Sequence, residues 1–331
     1  MMVTWRSTFI ALGAMILAAP VFMQTVLAQP KTSPPIPPPA PNAAANSNNG
    51  NVDLAFGAFQ RGFYMTALAE ATRRAQQKDP QAMTLLGELY AQGLGIGRDD
   101  SKASQWYKQA AALGDRDAMF ALAMFNFEGR AGSRNPDEGA RMLAGAAQLG
   151  HPAAAYDLGL LYLQGQQFPQ DFNRAAELFR TAAAAGNPEA QYAFATMYKE
   201  GRGVPKDVSA AMRLMGQASV AGNVDAMIEF AIAQFNGEGV EKDEAAAARL
   251  FLIAARRGSA IAQNRLARIL MAGRGMPVDP TEAVKWHIIA KAGGAGDPDL
   301  DVFAGKQKPE VRDAAEKAAS KWLSTVAALR P

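Results

Sequence analysis

Small residues recur along this chain at intervals of 36 residues, and apolar positions recur at the same interval. Three such columns run in register through six consecutive units. They are Ala82, Ala118, Ala154, Ala190, Ala226 and Ala262; Gly93, Gly129, Gly165, Gly201, Gly237 and Gly273; and Gly114, Gly150, Gly186, Gly222, Gly258 and Gly294. A fixed period of this length is typical of a solenoid, in which each unit packs against its neighbours along the chain.

Each unit has the pattern of two helices joined by a glycine-containing loop. In the first helix of the first unit, Ala82, Leu86 and Leu89 follow the i, i+4, i+7 spacing that buries one helical face. A capping column precedes the second helix, and it reads Asp99, Asn135, Asp171, Asp207, Asp243 and Asp279. Such side chains accept hydrogen bonds from the free N–H groups of a first helical turn. The pattern therefore predicts an all-α fold of six helix-loop-helix repeats over residues 79–294.

The segments on either side of the repeats are predicted to close the array. Residues 51–78 form a degenerate N-terminal repeat, because Gly57 and Ala67 lie 36 residues before Gly93 and Ala103. We expect its helices near 52–60 and 62–78. Residues 295–331 predict two capping helices, a short one that opens at Asp297 and a longer one near 309–328. A cap must cover the last apolar face and present a polar exterior. The expected buried positions are Val311, Ala315, Ala318 and Leu323, and the expected exposed positions are Asp313, Glu316, Lys317 and Lys321.

The N-terminal 28 residues have the features of a signal peptide. Arg6 precedes an uncharged apolar run over residues 9–23, and the small residues that follow predict cleavage after Ala28. Residues 29–50 form a Pro-rich, polar linker. We expect a periplasmic or secreted protein. The alternative is an inner-membrane protein anchored by an uncleaved N-terminal segment.

Composition and charge exclude several classes of function. The chain carries 34 basic and 31 acidic residues, a balance that does not indicate nucleic-acid binding. It has no cysteine, which excludes disulfides, thiol nucleophiles and thiolate metal sites. Its two histidines, His151 and His287, fall at a helix-cap position and a bulky position of the repeat, where each has a structural role. We therefore predict no catalytic residues, no cofactor and no metal site.

The repeat resembles the Sel-one-like repeat (SLR) family, a relative of the tetratricopeptide repeats with a longer loop between its helices. The resemblance rests on the following residues of the first unit: Leu86-Gly87, Tyr90, Gly93-Leu94-Gly95-Ile96, Asp99, Lys102-Ala103, Trp106-Tyr107, Ala110-Ala111 and Gly114. It implies a right-handed α/α superhelical solenoid. Similar bacterial proteins act as adaptors in envelope signalling and assembly, which implies protein–protein interaction.

Columns that vary between the units are the candidates for partner binding. By analogy with tetratricopeptide solenoids, the first helices line a concave face. Phe120, Tyr156 and Tyr192 share one column of that helix and are expected to form an aromatic ladder. The alternative interpretation is that these rings fill gaps between neighbouring helices. The column that contains Glu88 and the columns next to it also vary between the units.

Six arginines and no acid lie within residues 245–278. Arginine favours bidentate contacts with carboxylates or phosphates, so a face for an acidic or polar partner is expected there, with Arg265 and Arg268 as candidates. The alternative is pairing within the chain, for example between Glu229 and Arg265, which lie 36 residues apart. The candidate partner-binding residues are Glu88, Phe120, Tyr156, Tyr192, Glu229, Arg265 and Arg268.

These features favour an exported, non-enzymatic repeat scaffold that mediates protein–protein interaction in the bacterial envelope through its concave face. Its process is envelope signalling or envelope assembly, and the partner is a protein or peptide. Contact with a membrane is expected only through an uncleaved signal segment. The alternative function is binding or modification of cell-wall glycan or of a small ligand.

Overall fold

The structure is a computed structural model that describes residues 53–328. The predicted signal peptide and linker lie outside these residues. Within them the chain forms sixteen α-helices and no β-strand, so the fold is all-α, as predicted. None of these sixteen helices is both long enough and apolar enough to cross a membrane.

Each of the six repeats contributes two consecutive helices, and all twelve of these helices are thirteen residues long. In chain order the helices are α1 Leu54–Gln60, α2 Tyr64–Ala75, α3 Pro80–Gln92, α4 Asp100–Ala112, α5 Arg116–Glu128, α6 Pro136–Gln148, α7 Pro152–Gln164, α8 Phe172–Ala184, α9 Pro188–Glu200, α10 Val208–Val220, α11 Val224–Asn236, α12 Glu244–Arg256, α13 Ala260–Ala272, α14 Pro280–Ala292, α15 Pro298–Gly305 and α16 Pro309–Ala328.

The chain divides into two compact units, Met1–Ala182 and Ala183–Pro331. In the first unit each helix from α1 to α6 packs against the next one along the chain. In the second unit the same holds from α9 to α14, and α16 then packs against α14. Packing of each helix on its sequence neighbours is the arrangement of a solenoid.

Side-chain caps and left-handed glycines set the ends of the repeat helices. Asp79 accepts hydrogen bonds from the backbone N–H groups of Gln81 and Ala82, and His151 accepts one through Nδ1 from Ala154 over 3.0 Å. The first helix of the first repeat ends at Gly93, whose φ of 71° favours glycine. The periodic columns read from the sequence therefore correspond to the starts and ends of the helices.

Glycine in the first helix also makes room for a ring from the second helix. A Cβ atom at Gly87 would lie 2.4 Å from the ring of Tyr107, and one at Gly159 would lie 2.6 Å from the ring of Phe179. Both rings are completely buried. The close approach of the two helices in these repeats therefore depends on the missing side chain.

The C-terminal helices cover the end of the second unit. Ala315 and Ala319 are fully buried, Val311, Ala318 and Leu323 are half-buried, and the four charged residues predicted for the exterior are exposed. Trp322 packs edge-on against Trp286 of α14, with ring centres 6.0 Å apart. At the other end, α1 begins at Leu54 because Asp53 is its non-helical cap residue, and α2 is shorter than the expected span because Phe63 and Lys78 lie outside helical geometry.

Candidate binding groove

A groove of about 350 Å³ lies between α11 and α13, the first helices of two neighbouring repeats in the second compact unit. It is lined by Ile232, Phe235, Asn236, Phe251, Arg265, Arg268, Ile269, Met271, Ala272 and Arg274. Most of the lining is apolar, and three arginines supply its cationic groups. Ligand sites in proteins typically combine an apolar lining with a few placed polar groups, in volumes of roughly 300–1,000 Å³.

Arg274 is held in place from two sides. Its guanidinium carbon lies 4.2 Å from the centre of the Phe235 ring, and its NH2 group forms an ion pair with Glu244 at the start of α12. The hydrogen bond from Arg274, with a second one from Lys242, lowers the pKa of Glu244 to about 2. Glu244 is therefore ionised at neutral pH, and it offsets the charge of Arg274.

Arg268 is also engaged by acids of its own chain. It binds Asp297 in a bidentate manner, with its Nε 2.5 Å from Oδ2 and its NH2 group 2.9 Å from Oδ1, and it reaches Asp299 over 3.2 Å. Burial opposes ionisation of Asp297, which is 5% exposed. Hydrogen bonds from Arg268 and Asn264 outweigh that effect, so the pKa of Asp297 lies below its usual value.

Arg265 differs from the other two arginines of the groove. Its side chain is exposed and forms no hydrogen bond or ion pair with any residue in the span 53–328. The pairing considered between Glu229 and Arg265 does not form. Glu229 instead accepts hydrogen bonds from the Tyr192 hydroxyl, over 3.0 Å, and from Lys199 Nζ, over 2.7 Å. Two donors from α9 thus occupy both oxygens of the carboxylate.

The three rings of the expected aromatic ladder each contact a different kind of neighbour. Phe120 stacks on the His151 ring, with centres 4.4 Å apart, and Tyr156 lies 5.7 Å from the Phe179 ring. The Tyr192 hydroxyl donates a hydrogen bond to Glu229. Burial is the main cause that raises the pKa of this hydroxyl, and the charge of Glu229 raises it further. Each of the three rings therefore contacts a side chain outside its own helix.

Glu88 belongs to a polar cluster within the first compact unit. Its Oε2 accepts a hydrogen bond from the Tyr107 hydroxyl over 2.9 Å. Burial raises the pKa of Glu88, and the Tyr107 hydrogen bond and the charge of Arg130 oppose the increase. Arg130 itself pairs with Asp100 over 2.5 Å. Glu88 therefore joins the two helices of its own repeat.

Both histidines have structural partners. His151 caps α7, as described above, and its Nε2 lies 3.6 Å from Asp117. The ring of His287 is buried, and its Nε2 lies 2.8 Å from Asp301, which also pairs with Lys291. Among the residues that the structure describes, no group of three or more His, Cys, Asp or Glu side chains is arranged to hold a metal ion.

The structure joins Tyr192 to Glu229 by a hydrogen bond. Of the seven candidate residues, it places Arg265 and Arg268 in the groove, together with apolar residues beside them. Ile232, Phe235 and Met271 were not among the candidates. Ile232 occupies the same repeat position as Glu88 and Arg268, and Phe235 and Met271 share another position, where other repeats carry Ala91 and Lys199. The variability of the position that Phe235 and Met271 share was the signal by which the sequence could have identified these two residues.

Comparisons with known proteins support the architecture. The family model of the Sel1 repeat matches residues 80–115, 116–151, 152–187, 188–223, 224–259 and 260–294. A Sel1 repeat protein from Oxalobacter formigenes is 27% identical, with a TM-score of 0.62, over 72% of this chain and 97% of that one. Among curated proteins, none matches the sequence significantly.

A second solved structure is similar in fold. It is c5321, a protective antigen of uropathogenic Escherichia coli strains that displays an SLR fold. It is 24% identical, with a TM-score of 0.55, and the match covers 79% of this chain and 64% of that one. Proteins built of these repeats are typically non-catalytic scaffolds that mediate protein–protein interaction. With six matched repeats over most of its length, and stacked helix pairs in each compact unit, this chain belongs to the Sel1 repeat family.

Proposed function

We propose that this Sel1 repeat protein is an exported, non-catalytic scaffold that binds a partner protein in the bacterial envelope through the groove between α11 and α13. The proposal rests on the positions at which the repeats differ from one another. Their shared residues form caps, glycine turns and buried alanines. The groove is lined by positions that change from repeat to repeat, such as Arg265, whose counterpart in the first repeat is the buried Leu85.

A scaffold of this kind gains affinity from a few anchoring side chains in a central, well-packed site. The groove supplies apolar anchors in Ile232, Phe235 and Met271, and an exposed cation in Arg265. Export rests on the N-terminal segment predicted from the sequence. That location favours a role in envelope signalling or envelope assembly, and the identity of the partner would decide between the two.

Site-specific photo-cross-linking in intact cells tests the binding site. Benzoylphenylalanine replaces Asn236, an exposed residue of the groove, and in a matched control it replaces Arg249, which is exposed on α12 and does not line the groove. We expect a discrete protein adduct from position 236 only. Arg265→Glu should abolish that adduct, and Arg249→Glu should preserve it. Equal adducts from both positions would contradict the proposal.

Two further measurements test the remaining parts of the proposal. Mass spectrometry of the mature chain should find its N-terminus at Gln29, whereas a retained N-terminal segment would indicate the membrane-anchored alternative. An adduct at position 236 that disappears when wall glycan is digested would identify the glycan-binding alternative. Turnover of wall fragments by the purified chain would contradict a non-catalytic role.

A further inference from the structure

The three arginines of the groove present very different amounts of uncompensated charge. Arg274 is paired with Glu244, and Arg268 is paired with Asp297 and Asp299. Arg265 is the remaining cation, exposed and without such a partner in residues 53–328. The sequence shows a dense group of positive charges, but the folded groove presents about one charge to a ligand.

The paired acids also limit which ligands fit. Two arginines of the groove already form ion pairs with Glu244, Asp297 and Asp299. A ligand with several adjacent carboxylates would therefore meet like charges there. Breaking an existing pair to free its arginine would leave a carboxylate without its partner, which is costly where that group is buried, as Asp297 is. A single carboxylate can bind Arg265 without disturbing either pair.

The rest of the lining is suited to an apolar group. Ile232, Phe235 and Met271 are half-buried, and Phe251 behind them is 2% exposed. The volume of about 350 Å³ lies at the lower end for ligand sites, which corresponds to a short segment rather than the edge of a folded domain. Burial of one large apolar side chain would stabilise a bound segment that the single charge orients.

We infer that the groove binds a short peptide segment that carries one carboxylate beside a large apolar side chain. Arg265 binds the carboxylate, and Ile232, Phe235 and Met271 contact the apolar side chain. This inference rests on the proposed function and specifies the chemistry of the partner. It replaces the expectation of an acidic or polar partner with that of a mainly apolar partner with a single negative charge.

Saturation-transfer NMR with the full chain and four short peptides tests this inference. All four are acetylated and amidated, so that Glu side chains are their only carboxylates. The first is Gly-Leu-Glu-Leu-Gly. In the second Gln replaces Glu, in the third Ser replaces both Leu residues, and in the fourth Glu replaces both Leu residues. We expect the first peptide to bind roughly tenfold more tightly than each of the other three.

Variants assign the effect to the groove. Arg265→Gln should remove the preference for Glu over Gln, Arg265→Lys should retain part of it, and Arg249→Gln should leave it unchanged. Arg265 is exposed and unpaired among the described residues, so the melting temperatures of these variants should match that of the unaltered chain. The inference is overturned if no peptide binds, if the three-Glu peptide binds most tightly, or if Arg249→Gln has the same effect as Arg265→Gln.

The outcomes separate this inference from the proposed function. A protein adduct at position 236 together with no preference for the single-carboxylate peptide would leave the scaffold function standing and overturn the ligand chemistry. Peptide binding as expected, with no adduct at position 236 in cells, would retain the ligand chemistry and contradict the envelope partner.

Discussion

Gly87 and Tyr107 occupy complementary space in the first repeat, since a Cβ atom at position 87 would lie 2.4 Å from the tyrosine ring. The ring is 1% exposed, and protein interiors are close-packed. The first repeat therefore depends on the absence of a side chain at Gly87, although glycine is a poor residue for the middle of a helix.

Gly87→Ala should destabilise the first compact unit. Overpacking costs about 1–3 kcal/mol, and the gain in helix propensity offsets roughly 1 kcal/mol of it. We expect a net loss of about 1–2 kcal/mol in urea unfolding. Combining Gly87→Ala with Tyr107→Leu recreates the Ala123 and Leu143 pair of the second repeat, so the double variant should lose less than the sum of the two single variants. Gly97→Ala, at a loop site with open space, is the control.

Glu88→Gln should change how stability depends on pH. Burial raises the pKa of Glu88 above its usual value of 4.5, so the folded state binds this proton more tightly than the unfolded state. The contribution of Glu88 to stability therefore falls as pH rises from 4.5 through the folded pKa, and it is least favourable at neutral pH. The Gln variant lacks this dependence and still accepts the Tyr107 hydrogen bond.

The measurement is the melting temperature of each chain between pH 4.5 and 7.5. We expect the wild-type melting temperature to decline more steeply than that of Glu88→Gln as pH rises across this range. Glu316→Gln, at an exposed position of α16, should follow the wild type. Parallel curves for the wild type and Glu88→Gln would show that burial of Glu88 does not control its proton affinity.

Arg268→Gln should loosen the C-terminal helices α15 and α16. The substitution leaves the nearly buried Asp297 without its cation while that residue still caps α15, through the N–H groups of Asp299 and Leu300. Loss of a charge-assisted hydrogen-bonded pair costs about 1.5–3 kcal/mol. Hydrogen exchange of α15 should accelerate in this variant and remain unchanged in Arg312→Gln, an exposed arginine on α16. Equal protection in all three chains would argue against the anchoring role of Arg268.

Gly275→Ala tests a close backbone contact beside the groove. A Cβ atom at this position would lie 2.1 Å from the carbonyl oxygen of Glu244, and the φ of Gly275 is 76°. At Gly258 the φ is 90° but the added atom would meet nothing, so Gly258→Ala carries strain without a clash. We expect about 1 kcal/mol of destabilisation for Gly258→Ala and at least about 2 kcal/mol for Gly275→Ala. Similar losses, measured by thermal unfolding, would mean that the loop shifts freely.

Local rules made much of the architecture predictable from the sequence. Asp99 caps a helix through a neighbour three residues away, and Gly93 ends one through its own backbone angle. Such interactions depend on spacing along the chain, so the period of 36 residues and the helix ends within the six repeats followed from it. The buried face read from Ala82, Leu86 and Leu89 is buried in the structure.

The candidate site depended on contacts that spacing does not specify. Arg268 meets Asp297 and Arg274 meets Glu244 across about 30 residues, and Glu229 bonds to Tyr192 and Lys199 rather than to Arg265. Which acid neutralises which arginine depends on how neighbouring repeats rotate against each other and on the rotamers of long side chains. The sequence by itself determined the repeat, the helices and the buried columns through local interactions. Only the tertiary structure decided that one arginine of the groove has no charged partner within residues 53–328, because charge compensation is a property of side chains brought together by folding.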